Sequence, residues 1–295
     1  MRNSNEIYLG ITHKIIADLE KGELTWRKPW NPENLSAGIR LPLRCNHVPY
    51  SGINIVMLWS TAAQKGYSSP YWMTYKQAND MKAHVRKGEK GTQIVYADRF
   101  DVDEVKEDGT TETRNIPFLK LYTVFNASQL EGLPDAYAQL PEPPKINPEI
   151  RSPEIDEFFN RTQAKIFPGR NAAYFQSFDY IEMPPFESFN SAAAYYSTLA
   201  HEMAHWTKHP SRLNRNFNSG VWGDEAYAKE ELVAELAASF LGADLGFEPV
   251  TKDEHTAYIQ SWLKILKGDS RFIVQAASQA QKAVEYLGSF QKKMG

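Results

Sequence analysis

The chain has 295 residues, of which 42% are hydrophobic and 23% charged, and its formal net charge is −3. These values are typical of a folded globular protein, and the length is enough for two ordinary domains. No apolar run approaches the roughly 18 residues of a membrane-spanning helix, and the N-terminus lacks the apolar core of a signal peptide. The single cysteine excludes an internal disulfide framework. We therefore expect a cytoplasmic protein without a membrane segment or anchor.

The first half of the chain predicts helices followed by a hairpin. Three stretches have the apolar spacing or the composition of helices: residues 6–22, 51–66 and 74–85. Two strand patterns, residues 92–100 and 117–125, flank Asp108 and Gly109, a pair that favours a tight turn. These two strands predict a β-hairpin with an acidic tip.

Basic residues are concentrated at the N-terminal end and alternate with aromatic residues. Residues 1–97 carry 13 lysines and arginines against 7 acidic residues, which is the pattern of a surface for a polyanion. Aromatic rings stack on bases of any sequence, and lysine and arginine neutralise phosphates, so we predict non-specific binding of single-stranded DNA. The predicted DNA-binding residues are Trp26, Arg27, Lys28, Trp30, Tyr71, Trp72, Tyr75, Lys76, Arg86, Lys87 and Lys90. Tryptophan is also common in protein cores, so the sequence leaves open which rings are buried.

A proline-rich segment separates the two halves. Residues 132–153 contain six prolines, and proline disfavours both a helix and a central strand. We predict a DNA-binding domain over 1–131, a linker over 132–153 and a second domain over 154–295. The first domain is expected to bind single strands without the second.

The second half predicts a mainly helical domain beside a small sheet. Residues 173–178 and 179–184 resemble strands, and the second of these could bind an extended peptide at its edge. Helices are expected to begin near four residues: Ser191, Asp224, Thr251 and Ser270. The predicted fold class is therefore α+β with two domains.

One of these helices carries a metal-binding pattern. His201 and His205 are four residues apart and lie on one helical face, so both imidazoles can hold one Zn²⁺ or another divalent ion. Glu202 lies at a neighbouring angle and is predicted to take a proton from water on the metal. A third protein ligand must come from elsewhere in the chain.

The acidic helix near residue 230 is the best source of that ligand. Glu231 and Glu235 share a face, so one can bind the metal while the other orients a histidine through its free N–H. We predict Glu231 as the ligand and Glu235 as the orienting residue, with Glu230 as the reserve ligand. Tyr227, one turn before Glu231, is a candidate donor to an oxyanion.

The two halves together resemble the ArdC antirestriction proteins of conjugative plasmids. The similar segments are "WRKPW", "YSGIN", "YWMTYKQA", "VRKGEKG" and "VFNASQL" in the first half, and "LAHEMAHWTKHPSRLNR" and "YAKEELVAELAASFL" in the second. The resemblance implies an N-terminal single-stranded-DNA-binding domain and a C-terminal zincin-like metallopeptidase domain of the polyvalent-protein class. It implies protection of entering plasmid DNA from restriction enzymes in the bacterial cytoplasm, and leaves transfer of the protein to the recipient cell open.

Three functions fit the sequence. The first is an antirestriction protein that binds single strands and carries one zinc or other divalent ion per chain in an active or vestigial peptidase domain. The second is a metalloprotease that acts on DNA-bound proteins, whose substrate the sequence does not identify. The third is a pure DNA-binding protein with a structural metal. We expect protection to depend on DNA binding rather than on hydrolysis, because coating accepts any sequence.

Overall fold

The described residues of the N-terminal half form two sheets and three helices. The computed structural model describes residues 4–26, 40–105, 111–137, 147, 150–217, 225–250 and 255–291, of which 97–105, 111–118 and 255–257 are described as backbone only. The helices of this half are α1 (Ser4–Glu20), α2 (Ile53–Lys65) and α3 (Tyr75–Asp80). The strands are β1 (Leu43–Arg44), β2 (Tyr71–Thr74), β3 (His84–Val85), β4 (Thr92–Val105), β5 (Thr111–Asn126) and β6 (Leu130–Glu131).

The larger sheet of this half is built on the predicted hairpin. Its strand order is β1-β2-β5-β4, and β4 pairs with β5 in antiparallel register from Thr92 opposite Val124 to Val105 opposite Thr111. The turn at residues 106–110 lies outside the described residues. The short strands β3 and β6 form a separate antiparallel pair. The sequence did not predict the four short strands β1, β2, β3 and β6, because two to four residues are too few to show a period of two.

The C-terminal half is mainly helical with one small sheet. Its helices are α4 (Pro153–Asn160), α5 (Ala192–Trp206), α6 (Glu225–Leu245), α7 (His255–Gly268) and α8 (Phe272–Ser289). Its strands are β7 (Ile166–Pro168), β8 (Ala173–Phe175) and β9 (Tyr180–Met183), in the order β7-β9-β8. The prediction that the strand of residues 179–184 offers a free edge to a peptide is wrong, because β9 is the middle strand and pairs on both sides.

The predicted linker ends in a helix. Pro153 is the first residue of α4, and the Ser152 hydroxyl accepts a hydrogen bond from the Ile155 amide as the N-cap. A proline fits this position because its missing N–H has no helical acceptor there. Residues 138–146 and 148–149 of the linker lie outside the described residues, and so does Thr251, near which a helix is expected to begin.

The two halves share one hydrophobic core. The helices α1 and α2 pack against α6, α7 and α8, and the largest buried cluster contains residues of both halves. Trp59 of α2 meets Phe240 of α6 with ring centroids 5.9 Å apart, and Trp26 meets Trp262 of α7 at 6.2 Å. The α+β class is confirmed, whereas the boundaries 1–131, 132–153 and 154–295 stay predictions. Within the described residues, no helix is both long and apolar enough to cross a membrane.

This shared core predicts that a change in the second half destabilises the first. Phe240→Ala removes a side chain that is 1% exposed and packed on Trp59, and such a change costs about 3–5 kcal/mol of unfolding free energy. The unfolding midpoints measured in urea by tryptophan fluorescence and by circular dichroism should shift together to a lower urea concentration. Two separate transitions, with only one of them shifted, would contradict the shared core.

Candidate functional site

The helix α5 places the two predicted metal-binding histidines on a buried face. Its alanine-rich sequence favours a helix, and the Ser191 hydroxyl accepts a hydrogen bond from the Ala194 amide to begin it. One turn separates His201 from His205, so their rings meet edge to face with centroids 4.7 Å apart. Their Nε2 atoms lie 3.1 Å from each other and point to a common position.

The helix α6 packs across α5 and brings Glu231 to the same position. One carboxylate oxygen of Glu231 lies 3.3 Å from Nε2 of His201, and the other lies 3.3 Å from Nε2 of His205. One ligand atom from each of the three residues lies within 4.8 Å of the others. Two imidazoles and one carboxylate are a usual ligand set for a hydrolytic zinc ion. The three residues predicted as ligands therefore fit a divalent metal.

The outer nitrogens of both histidines face carboxylates. The Nδ1 atom of His201 lies 3.5 Å from Glu235, the residue predicted to orient a histidine. The Nδ1 atom of His205 lies 3.1 Å from Glu230. A carboxylate at Nδ1 holds the proton there, which leaves the Nε2 lone pair for a metal. This arrangement contradicts the assignment of Glu230 as reserve ligand, because its carboxylate already binds His205 and an arginine.

That arginine, Arg215, was not predicted from the sequence. Its Nε and Nη2 atoms donate to both oxygens of Glu230 at 2.8 and 2.7 Å, and it also donates to Thr207 and to the Ala204 carbonyl. The Arg215 side chain is 2% exposed, and a buried arginine needs this many acceptors. The loop after α5 thus returns to the site and fixes Glu230, which in turn orients His205. A basic residue shortly after the second histidine was the available signal.

Neighbouring opposite charges shift the pKa values of the buried residues at this site so that these residues stay charged. Burial lowers the pKa of His205, but Glu231 and Glu230 outweigh this effect and raise that pKa to about 9. Burial raises the pKa of Glu230, but Arg215 and His205 more than offset it and hold it at about 2. Despite burial, His205 and His201 keep the pKa of Glu231 well below its usual range. The metal-free site is therefore an ion-pair cluster in which His205 carries a proton at neutral pH.

Two further predicted residues lie at this site. Glu202 follows His201 on α5 and is 5% exposed, so it is buried within the same helical segment. Tyr227 lies on α6 one turn before Glu231. Burial raises the pKa of Tyr227, and the Glu231 charge raises it further. The Tyr227 hydroxyl is thus a protonated donor beside the candidate metal position.

Some of the residues that were predicted to bind DNA are buried and others are exposed. Trp26, Tyr71 and Trp72 are 0, 2 and 1% exposed, so they pack in the core and cannot stack on a base in this structure. Their prediction as DNA-binding residues is corrected. Arg27, Lys28 and Trp30 lie outside the described residues. The remaining predicted residues are all exposed: Tyr75, Lys76, Arg86, Lys87 and Lys90.

Exposed rings lie on α3 and on the hairpin. Tyr75 of α3 is 61% exposed, Tyr96 of β4 is 46% exposed and Tyr122 of β5 is 45% exposed. The rings of Tyr96 and Tyr122 meet edge to face with centroids 5.9 Å apart. Lys120 is the direct cross-strand partner of Tyr96 and is exposed. The sequence does not single out Tyr96 and Tyr122, because strand periodicity alone does not say which face of a sheet is covered.

Two family models match separate parts of the chain. Residues 5–125 match the family model of the N-terminal domain of the anti-restriction factor ArdC, and residues 153–279 match that of a zincin-like metallopeptidase. The crystal structure of the antirestriction protein ArdC from plasmid R388 is similar in its metal-free form, with TM-score 0.82, 45% identity and coverage of 98% of both chains. Its Mn(II)-bound form has TM-score 0.81 at 44% identity, over 98% of this chain and 99% of that one.

Two sequence relatives extend the comparison. The uncharacterized protein y4eC of Sinorhizobium fredii (strain NBRC 101917 / NGR234) is 35% identical over 96% of this chain and 91% of its own length. The DNA primase TraC of Escherichia coli is 36% identical over 96% of this chain. This chain spans only 27% of TraC.

The contact between Glu230 and His205 predicts an effect on metal affinity. Glu230→Gln removes the charge that orients His205 and leaves the buried Arg215 without its counter-charge, so divalent-metal affinity should fall about 10–100-fold. Competition with a chromophoric chelator measures this on the full chain. Glu225→Gln, at an exposed position on the same helix, is the matched control. Equal affinity of Glu230→Gln and the control would contradict the orienting role.

The raised pKa of His205 predicts a pH dependence of metal binding. Below about pH 9 the imidazole holds a proton that a metal must displace, so apparent affinity should rise about tenfold per pH unit between about pH 6 and pH 8. Calorimetry with Mn²⁺ in buffers of different ionisation enthalpy counts the released proton. A pH-independent affinity without proton release would refute this account.

Proposed function

This chain belongs to the family of ArdC antirestriction proteins, and we propose that it binds single-stranded DNA without sequence preference and so protects incoming plasmid DNA from restriction endonucleases. The observation that carries this proposal is the surface of the N-terminal half, where half-exposed tyrosines lie in a sheet that begins at a basic loop. Residues 86–90 of this loop directly precede β4 and present Arg86, Lys87 and Lys90 to solvent. The protein acts in the cytoplasm of the bacterial cell that handles the plasmid strand.

The chemistry of this surface favours a single strand over a duplex. The exposed rings of Tyr75, Tyr96 and Tyr122 can stack on bases only where those bases are not already stacked in pairs. Lys120 beside Tyr96, and the basic loop, supply charge for the phosphates, so binding weakens as salt rises. Neither contact distinguishes one base from another. A coat of this kind excludes nucleases from any sequence.

The C-terminal half is proposed to hold one divalent ion, zinc or manganese, through His201, His205 and Glu231. The Mn(II)-bound relative and the convergence of three ligand atoms support this. A bound divalent metal would lower the pKa of a water molecule from 15.7 to about 7 and would polarise a carbonyl group. Glu202 would accept the proton of that water and deliver it to a leaving amine, and Tyr227 would donate a hydrogen bond to the carbonyl oxygen.

A second candidate function is hydrolysis of proteins bound to DNA. The observation that favours it is the ligand set, since three protein ligands leave a position open for water, whereas structural zinc sites are closed by four. Within the described residues, the metal position gathers three such ligands. In this case the DNA-binding half would bring the peptidase to its substrate.

Two sets of variants separate these functions. Tyr96→Ala combined with Tyr122→Ala removes both exposed rings of the hairpin, and single-strand affinity should fall about 5–100-fold. The matched control is Tyr96→Phe combined with Tyr122→Phe, which keeps the rings and loses only the hydroxyls. Glu202→Gln keeps the DNA surface and the metal ligands and removes the base.

The measurement is conjugation frequency into restricting and non-restricting recipients, together with DNA binding by fluorescence anisotropy. We expect the alanine pair to lose binding and protection together, and the phenylalanine pair and Glu202→Gln to keep both. Full protection by an alanine pair that no longer binds DNA would reject the proposed function. Loss of protection in Glu202→Gln, with metal and DNA binding intact, would assign protection to hydrolysis.

A further inference from the structure

A buried glutamine connects the basic loop to a cavity that has no assigned role. Gln129 is 0% exposed and lies at the end of a 3₁₀ turn, Ala127–Gln129. Its Nε2 atom donates to Glu89 at 2.9 Å and to the Lys90 carbonyl at 3.0 Å. Its backbone carbonyl accepts a hydrogen bond from the Arg86 amide at 3.0 Å. Residues 86–90 are therefore fixed against the segment of residues 127–130.

The same segment forms one wall of an open cavity of about 370 Å³. This volume lies within the range of small-molecule sites. Three serines line it from two directions, with Ser68 and Ser69 before β2 and Ser128 in the 3₁₀ turn. Apolar groups of Leu130, Pro134 and Tyr137 complete the lining. The cavity thus combines flat apolar walls with hydroxyl groups.

Hydrogen bonds fix these walls. The Tyr137 hydroxyl donates to the Cys45 carbonyl at 2.6 Å, and its ring lies edge to face with Tyr71 at 5.1 Å. Asn126, which is fully buried, donates from Nδ2 to the Ser69 carbonyl at 2.8 Å and accepts from the Ser128 amide at 2.9 Å. Both serine walls are therefore held by one side chain, so little order has to be gained on binding.

We propose that this cavity holds one base of a bound single strand, with the adjacent phosphates on Arg86, Lys87 and Lys90. The inference rests on the proposed function and adds a site to it. A base offers flat faces to Leu130, Pro134 and the Tyr137 ring, and polar edges to the serines. A hydroxyl both donates and accepts, so Ser68, Ser69 and Ser128 can meet the edge of any base, which preserves binding without sequence preference.

The position of the loop favours a nucleotide over an uncharged occupant. Residues 86–90 carry three exposed cations against the one carboxylate of Glu89. Gln129 binds the backbone of this loop at Arg86 and Lys90, and its sequence neighbours Ser128 and Leu130 line the cavity. An apolar peptide side chain would fill the cavity but make no use of these charges. In a nucleotide, one sugar separates the flat base from the negatively charged phosphate. The base can therefore enter the cavity while the phosphate contacts the basic loop.

The test compares two strands of equal charge. The full chain is titrated by fluorescence anisotropy with a 12-nucleotide thymidine strand and with the same strand built of abasic sites, so that phosphate contacts stay constant. Ser128→Trp and Ser68→Trp fill the cavity from its two serine-bearing segments. Ser128→Ala removes one of the three hydroxyls without filling the cavity, so it should lose less of the preference than Ser128→Trp. We expect both tryptophan variants to lose about tenfold of the preference for the thymidine strand, which corresponds to one stacked base. Their affinity for the abasic strand should stay at the wild-type value.

Other variants and ligands separate the alternatives. Lys87→Ala should weaken both strands equally and keep the preference, because it removes only a charge. If thymidine monophosphate competes with the thymidine strand and inorganic phosphate does not, the cavity also binds free nucleotides. This result would support the proposed base site. Wild-type preference in both folded tryptophan variants would overturn the cavity while the proposed function stands. Failure of the wild-type protein to bind either strand would overturn both.

Discussion

Three buried glutamates on one helix are the constraint around which the C-terminal half is built. Glu230, Glu231 and Glu235 of α6 are 5–6% exposed, and an unpaired carboxylate at such depth would be strongly unfavourable. Each one faces a cation or an imidazole, since Arg215, His201 and His205 surround them. The helix α5 must therefore cross α6 at the histidines, and the loop after α5 must fold back to α6 so that Arg215 contacts Glu230. The same contacts orient both Nε2 atoms toward one position.

The remaining surface of α6 packs against the N-terminal half. Leu232, Leu236 and Phe240 are 0–1% exposed and belong to the core that also contains the helices α1 and α2. Hydrogen bonds cross the same boundary, from the Thr12 hydroxyl to the Ser270 carbonyl and from the Gly52 amide to Gln281. The two family models that match the chain thus describe parts of one packed body. A truncated first half would expose the apolar faces of α1 and α2.

Burial decides which aromatic residues of the N-terminal half reach the surface. Trp26 and Trp72, which stand out in the sequence, pack in the core, whereas Tyr96 and Tyr122 of the hairpin are exposed. The basic loop keeps its predicted exposure, because lysine and arginine are rarely buried without a partner. Gln129 gives this loop a fixed position next to a cavity, although neither the residue nor its segment carries a charge.

The sequence by itself determined the α+β class, the hairpin, the long helices and the metal pattern of His201, Glu202 and His205. These features are local, because helical and strand periods and an i, i+4 spacing act within a few residues. The tertiary structure alone decided that Glu230 orients His205, that Arg215 reaches Glu230, and that Trp72 is buried while Tyr122 is exposed. Those outcomes depend on which elements pack together, and residues distant in the chain meet only when the hydrophobic faces of separate helices and strands are covered.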